Sequence, residues 1–464
     1  MTDKKNPPTL VKQQTYSSQP TVMKMTTRTL FAGTLAASLF ALSQLPLCAA
    51  PPEGDKLPLG KRSKMVHSYI LPSLSLLDFG YSQEELDAAQ ANGLTTTDHP
   101  ATGSGLQQLA GDHYLSVTDR GPNADRPDGT KAFPMPQYTP TIVLSKAVGD
   151  QIVPLELLPI VNDLGFGITG IPNGPSDDGV PYLTLTSTTP LPFNPDGMDV
   201  EDIHTLPGGG FILVEEYGPS IVIVSPTGNV LRRYIPSNKT LPGAHYTVSP
   251  TLPPVFKQRR ANRGFEGLAI SDDGRTAYTM TQSPMGSTSV GSAYRDSRLI
   301  RVLRLDISDP LNLQVTGMFV LQMLPVSSFP AGNSQRDLKI SGAGWISQDK
   351  LLIMEGGDLA PAKVLIADLT AATDVKDLAV AAQVPLVLEN VATDLAALGI
   401  VPAVTSLVLD LGAEYPEITD RKLEGLSILS PNEISISNDN DFGIGADPTS
   451  ISRIYTIRLS RSLR

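Results

Sequence analysis

The sequence is poor in the side chains that serve covalent and soft-metal chemistry. Its 464 residues include one cysteine, Cys48, and five scattered histidines at 67, 99, 113, 204 and 245. No His-Glu-x-x-His pair for a zinc hydrolase occurs, and no Gly-x-Ser-x-Gly turn for a serine hydrolase. A phosphate-cradling Gly-x-x-x-x-Gly-Lys is also absent. Gly208-Gly209-Gly210 joins two short apolar runs and reads as a hairpin turn. Nothing marks a covalent nucleophile, so an enzyme built on this chain would work through water activated by a metal and a carboxylate.

The one long uncharged run, Leu30 to Leu47, lies behind Lys24 and Arg28 and ends at Cys48-Ala49-Ala50. A basic start, an apolar centre and small residues at the exit are the pattern of a secretory signal peptide, here residues 1–49, with Met23 as an alternative start. Gly33, Ser38, Ser43, Gln44 and Pro46 weaken the competing reading, a retained membrane anchor. Leu47 before Cys48 disfavours a lipoprotein site. Cleavage after Ala49 removes the sole cysteine, which excludes disulfides, a thiolate nucleophile and a cysteine zinc site. Secretion or delivery to a periplasm is the expected localisation, without stable membrane insertion afterwards. Residues 50–64 read as a flexible linker and 65–464 as one domain.

Basic charge is scarce as well. The full chain has 36 Lys and Arg against 47 Asp and Glu, net −11. The leader carries Lys4, Lys5, Lys12, Lys24 and Arg28 but only Asp3, so its removal makes the chain more acidic still. Such a surface does not attract nucleic acid or anionic lipid, and a small anionic or ester molecule is the expected partner of a monomer.

Glycine (39) and proline (40) are abundant and spread throughout, between short Val/Ile/Leu/Tyr runs, which is the texture of many short strands and tight turns. A phrase recurs along the chain. Glu201-Asp202-Ile203 leads through Pro207-Gly208 to Phe211–Val214 and Glu215-Glu216; Glu266-Gly267-Leu268 leads through Asp272-Asp273-Gly274 to Ala277–Met280 and Gln282. Gly342-Ala343-Gly344 leads to Leu351–Met354 and Glu355, and Glu424-Gly425-Leu426 to Ile434–Ser437 and Asn438-Asp439-Asn440-Asp441. Gly105-Leu106 opens a fifth copy that ends in Asp119-Arg120-Gly121. Repeated units of this kind predict an all-β fold, a single β-propeller. Six blades are favoured within a range of five to seven, with a degenerate blade in 140–190 or 371–412. A β-sandwich is the competing architecture, but it would not repeat one phrase along the chain. Met65 to Leu71 is expected to complete the last blade, and the Ala/Leu/Val pattern over 371–399 predicts a small helical insertion.

The repeat places Glu201, Glu266 and Glu424 at equivalent strand entries, and Asp119, Glu215, Glu355 and Asp439 at equivalent exits. Carboxylates that converge on a propeller axis repel unless a hard cation neutralises them, and calcium tolerates irregular oxygen ligation. The metal candidates are Glu201, Glu266, Glu424, Asn438, Asp439 and Asp441; the other reading of the repeated Glu is a hydrogen bond to backbone between blades. Arg120, Arg263 and Lys422 could receive an anionic substrate, or could simply neighbour the adjacent acids.

Val117-Thr-Asp-Arg-Gly-Pro-Asn123, Asn262-Arg-Gly-Phe-Glu-Gly-Leu-Ala269, Leu423-Glu-Gly-Leu-Ser427 and Ser437-Asn-Asp-Asn-Asp-Phe442 together resemble the phytase-like domain, or esterase-like activity of phytase, from about residue 66 to the C-terminus. The resemblance implies an exported propeller that hydrolyses phosphate or carboxylic esters. Ser341-Gly342-Ala343 departs from the Glu-Gly-Leu phrase, which breaks any full ring of glutamates. The expected function is a calcium-assisted hydrolase with Glu266, Glu424, Arg120 and Arg263 as the catalytic set. A lactonase-like sugar-acid hydrolase and a non-catalytic binding propeller are the alternatives.

Overall fold

The computed structural model describes residues 63–71, 74–97, 100–357, 360–420, 422–444 and 451–464. The leader and most of the expected linker lie outside the described residues; the first strand, Ser63–Ile70, takes up the last two residues of that linker. No helix among the described residues is long and apolar enough to cross a membrane.

The chain is mostly β, arranged as antiparallel meanders. The first meander runs through Gly105–Gln108, His113–Val117, Thr141–Val148 and Gln151–Pro159; the second through Val200–Thr205, Phe211–Glu215, Ser220–Val224 and Val230–Pro236, with Thr247–Leu252 added in parallel at its edge. The third is Phe265–Ile270, Thr276–Thr281, Leu299–Asp306 and Gln314–Gln322, and the fourth is Lys339–Ser347, Lys350–Gly357, Ala360–Asp368 and Val404–Asp410. The fifth takes Leu423–Ser430, Glu433–Asn438 and Arg453–Leu459 from the C-terminus and closes with Ser63–Ile70 from the N-terminus. The early strand therefore completes the last unit, as expected. Its end also meets the first meander, Ile70 opposite Gln151, which joins two meanders into one eight-stranded sheet.

The first strands of the five meanders neighbour one another in cyclic order. The repeated phrase shows why. A Cβ on Gly425 would stand 2.6 Å from that of Leu106, and one on Gly342 would stand 2.5 Å from the Glu424 carbonyl, so only glycine lets adjacent first strands approach this closely. In the second meander Asp202 replaces glycine, and its carboxylate instead accepts the Leu268 amide of the third at 2.8 Å. Side chains alternate between the two faces of each sheet. Ile212 and Val214 face the third meander with Phe265 and Leu303, whereas Phe211 and Leu213 face the first with Leu115 and Val117. Burial on both faces explains the unbroken apolar runs of the middle strands.

Two expectations are corrected. Neither 140–190 nor 371–412 forms a further meander: 141–159 supply the outer strands of the first, and 404–410 the outermost strand of the fourth. Residues 371–399 form turns and a short 3-10 segment, Ala379–Ala382, in place of a helical insertion. Asp374, Asn390 and Asp394 each accept backbone N–H groups two or three residues onward, a local competitor to helix. The segment is held by burial of Val375, Leu386 and Leu388 and by Glu389, which pairs with buried Arg301 at 2.6 Å.

Candidate functional site: carboxylates at the axis

Glu201, Glu266 and Glu424 each fall where the pairing register of the first and second strands slips by one residue. Ser341 falls at the same slip in the fourth meander. A bulge of this kind frees one residue from the ladder and re-aims its side chain. The repeated phrase is thus a repeated bulge, and it turns three glutamates toward the ring axis. One carboxylate oxygen from each lies within 4.8 Å of the others.

All three are buried. Both oxygens of Glu266 lack a hydrogen-bond partner among the described residues. Burial, then repulsion from Glu424, pushes the Glu266 carboxyl well above the ordinary range; burial, then Glu266, does the same to Glu201. Lys339, at 3.5 Å from Glu424, is the nearby compensating charge and comes from the meander that lacks its own glutamate.

A second group shares Glu201. It adds Asp199 and Glu216, again with oxygens within 4.8 Å of one another. Burial, reinforced by Asp199, raises Glu216 to about 7. Asp199 is held by Arg120, whose Nη1 lies 2.8 Å from Asp199 and 2.7 Å from Asp178. Glu201 and Glu216 open into a cavity of about 950 Å³ lined also by residues of the small sheet of Ala124–Asp125, Lys131–Ala132 and Pro181–Tyr182 and by the end of the helix Gln83–Ala91. Ser82 starts that helix with a capping box, its hydroxyl accepting the Glu85 amide while Glu85 accepts the Ser82 amide.

The structure sorts the expected residues. Glu201, Glu424, Asp439, Asp441, Arg120 and Arg263 line the cavity, and Glu266 closes the carboxylate triad. Asn438 does not join them: its amide donates to the Ile451 carbonyl and accepts the Arg453 amide, tying two strands together. Asp439 is buried and raised to about 7, mainly by burial, with Lys422 3.7 Å away partly offsetting it. Asp441 pairs with Lys422 at the rim.

Of the four expected exits, Asp119 and Asp439 line the cavity, whereas Glu215 and Glu355 do not, and in the second meander the next residue takes the place. Glu215 and Glu355 sit opposite Val200 and Ile340 and point away from the cavity, whereas Glu216 and Gln282 face it beside Asp119 and Asp439. Asp199 and Glu216 were missing from the expected set. The signal was present: Asp199 stands two residues before Glu201, as Lys422 does before Glu424, and Glu216 directly follows the strand.

The donors suit a hard cation. They are oxygens alone, some without partners, spaced at no more than twice a calcium–oxygen distance of about 2.4 Å.

Comparison with known proteins finds distant likenesses and one matching family. A protein from Arthroderma benhamiae described as an uncharacterized secreted protein is 32% identical over 125 residues, which is 24% of each chain. The present chain thus spans about a quarter of that relative's length. A glycoside hydrolase family 43 arabinoxylan arabinofuranohydrolase from Bacillus subtilis aligns over 78% of this chain and 63% of its own, at 12% identity and a TM-score of 0.38. A PQQ-bound aldose sugar dehydrogenase from Streptomyces coelicolor aligns over 76% of both chains, at 12% identity and a TM-score of 0.29. Likenesses this loose carry nothing about chemistry. The model of one family, described as esterase-like activity of phytase, matches residues 102–442, and the chain belongs to that phytase-like family.

Proposed function

We propose that this chain is an exported five-bladed β-propeller that hydrolyses a phosphate ester or another ester with the help of calcium held by Glu201, Glu266 and Glu424. The observation that carries the proposal is Glu266, a buried carboxylate with no hydrogen-bond partner beside two more carboxylates. Three such groups are costly to bury without a counter-charge, and a cation supplies it. A bound hard cation would polarise the ester and make nearby water more acidic.

The chain's own groups do the remainder. Glu216, raised to about 7 and adjoining Glu201, is matched to take a proton from the attacking water near neutral pH. Water's hydroxyl joins the phosphoryl or acyl centre, the ester C–O or P–O bond breaks, Glu216 keeps the proton taken from water until exchange with solvent removes it, and the departing alkoxide takes a different proton from a second acid. Asp439, also near 7 and buried in the same cavity, is placed to deliver that proton. Arg263 offers its guanidinium to the anionic part of the ester, and Arg120 serves by fixing Asp199.

Calorimetric titration of metal-free protein with calcium, beside product release with calcium and with chelator, tests this reading. The expected result is one strong calcium site, turnover lost with chelator, and both lost in Glu266→Gln while the fold remains. Calcium binding without turnover of any phosphate ester, carboxylic ester or lactone would point to a binding propeller. Phosphate-free turnover of lactones alone would point to the sugar-acid alternative.

A further inference from the structure

Five cationic side chains and seven carboxylates line the cavity. Four of the five cations are already engaged. Arg120 is held between Asp178 and Asp199, at 2.7 and 2.8 Å; Lys131 pairs with Asp125 at 2.8 Å. Lys339 pairs with Glu424 at 3.5 Å, and Lys422 with Asp439 at 3.7 Å and with Asp441. Arg263 is different. Its side chain makes no ion pair or hydrogen bond among the described residues, and its Nη1 is buried without a partner. Nearby Asn262 holds a left-handed backbone, φ 52°, and its side-chain oxygen is likewise buried and unpartnered. A non-glycine residue in that conformation is strained, and such strain collects where a loop must present a group to a ligand.

A guanidinium nitrogen buried without an acceptor is costly, and a carboxylate or phosphoryl group reaching the half-buried Arg263 satisfies it through two parallel N–H donors. With Glu266 counted, eight carboxylates face five cationic groups, so even the two charges of a bound calcium would leave the lining no surplus of positive charge for a second anionic group. The lining adds a different contact: Leu185 borders the cavity and is 51% exposed. It offers apolar surface to an uncharged part of the ligand.

From these observations, and resting on the hydrolase reading, we propose that the substrate is a small ester bearing a single compact oxyanion, phosphoryl or carboxylate. Arg263 anchors that anion, and polyanionic esters such as inositol hexakisphosphate are disfavoured. The cavity is large enough for a molecule of that size, so charge and not volume makes the selection.

The test compares full-length protein with calcium on four esters: 4-nitrophenyl phosphate, the 4-nitrophenyl monoester of succinic acid, neutral 4-nitrophenyl acetate and inositol hexakisphosphate. The expected result is kcat/KM higher for one of the two esters that carry a single anionic group than for the polyanion; which of the two leads identifies the oxyanion. Arg263→Ala should raise KM for that ester about ten- to hundredfold, with partial recovery in Arg263→Lys and little change on the acetate. A better rate on the hexakisphosphate, or an equal loss on the acetate, overturns the proposal. Calorimetric binding of inorganic phosphate and of succinate gives a readout that needs no turnover. If no ester is hydrolysed yet one anion binds and Arg263→Ala abolishes it, the hydrolase reading falls and the anchor stands. If neither anion binds, or Arg263→Ala leaves binding unchanged, the anchor falls.

Discussion

Glu215 and Glu355 stand near the ends of the second strands of the second and fourth meanders, at matching positions in the register. Both are buried, yet their surroundings differ. Glu215 meets Arg233 at 2.8 Å, both side chains fully buried, and accepts the Tyr217 amide and the Ser220 hydroxyl. Glu355 accepts only the Leu324 amide, at 2.9 and 3.1 Å to its two oxygens, and no cation lies in contact with it among the described residues. Burial accordingly raises the Glu355 carboxyl to about 8, against an ordinary 4.5. A shared place in a repeat fixes where a carboxylate stands; its neighbours decide whether it is a structural ion or a group that holds a proton. The axial glutamates extend the same contrast, being buried and mutually repulsive, and that condition recommends them as ligands.

The largest effect should come from removing the partner of Glu215. Arg233 also donates to the Gly197 and Tyr217 carbonyls and to the Asn173 side chain, so it ties several loops to the strand. Arg233→Met leaves a buried carboxylate without compensation and should cost about 3–5 kcal/mol by urea denaturation. The double variant Arg233→Met/Glu215→Leu should recover much of that loss, because the unpaired charge is then gone. A double variant no more stable than the single one would show that Arg233 acts through its other hydrogen bonds.

Glu355 should make stability depend on pH. Its folded pKa, about 8, lies above that of the unfolded chain, so its contribution is full below about pH 4.5. As pH rises the unfolded chain releases this proton first, and the contribution is lost by the time pH passes 8. The slope amounts to roughly 2–4 kcal/mol between pH 4.5 and 8.5. Glu355→Gln, which keeps an acceptor for the Leu324 amide without the charge, should remove that slope. Stability of metal-free protein measured across this range decides the matter, and an unchanged slope in the variant would assign it to other groups.

These contrasts also mark what the sequence could reveal. The repeated phrase is legible because its copies carry two physical demands, a bulge residue aimed inward and, in all but the Glu201-Asp202-Ile203 copy, a glycine for close strand approach. The axial triad and the strand-exchange closure of the fifth meander follow from it. The exits were harder, since Glu215-Glu216 offers two equal acids and only the bulge at Glu201 decides which faces the cavity. Asn438 looked like a ligand by composition but spends its amide on Ile451 and Arg453, partners that no local pattern announces. The segment 371–399 misled because small apolar residues imitate helical periodicity while its Asp and Asn side chains close turns.

The smallest effect separates pairing from burial. Lys350 and Asp368 lie 3.1 Å apart on paired strands of the fourth meander, with side chains 44% and 34% exposed. Water already solvates both charges, so their attraction is screened and ordering two mobile side chains offsets part of it. Lys350→Ala should therefore change stability by no more than about 1 kcal/mol, and added salt should shrink the difference further. A double-mutant cycle with Asp368→Ala isolates the pair from other losses. A coupling energy as large as that of Arg233 and Glu215 would mean that contact distance governs these ion pairs. A small coupling would leave burial as the governing variable, and with it the reason the unpartnered Glu266 is the carboxylate most in need of a cation.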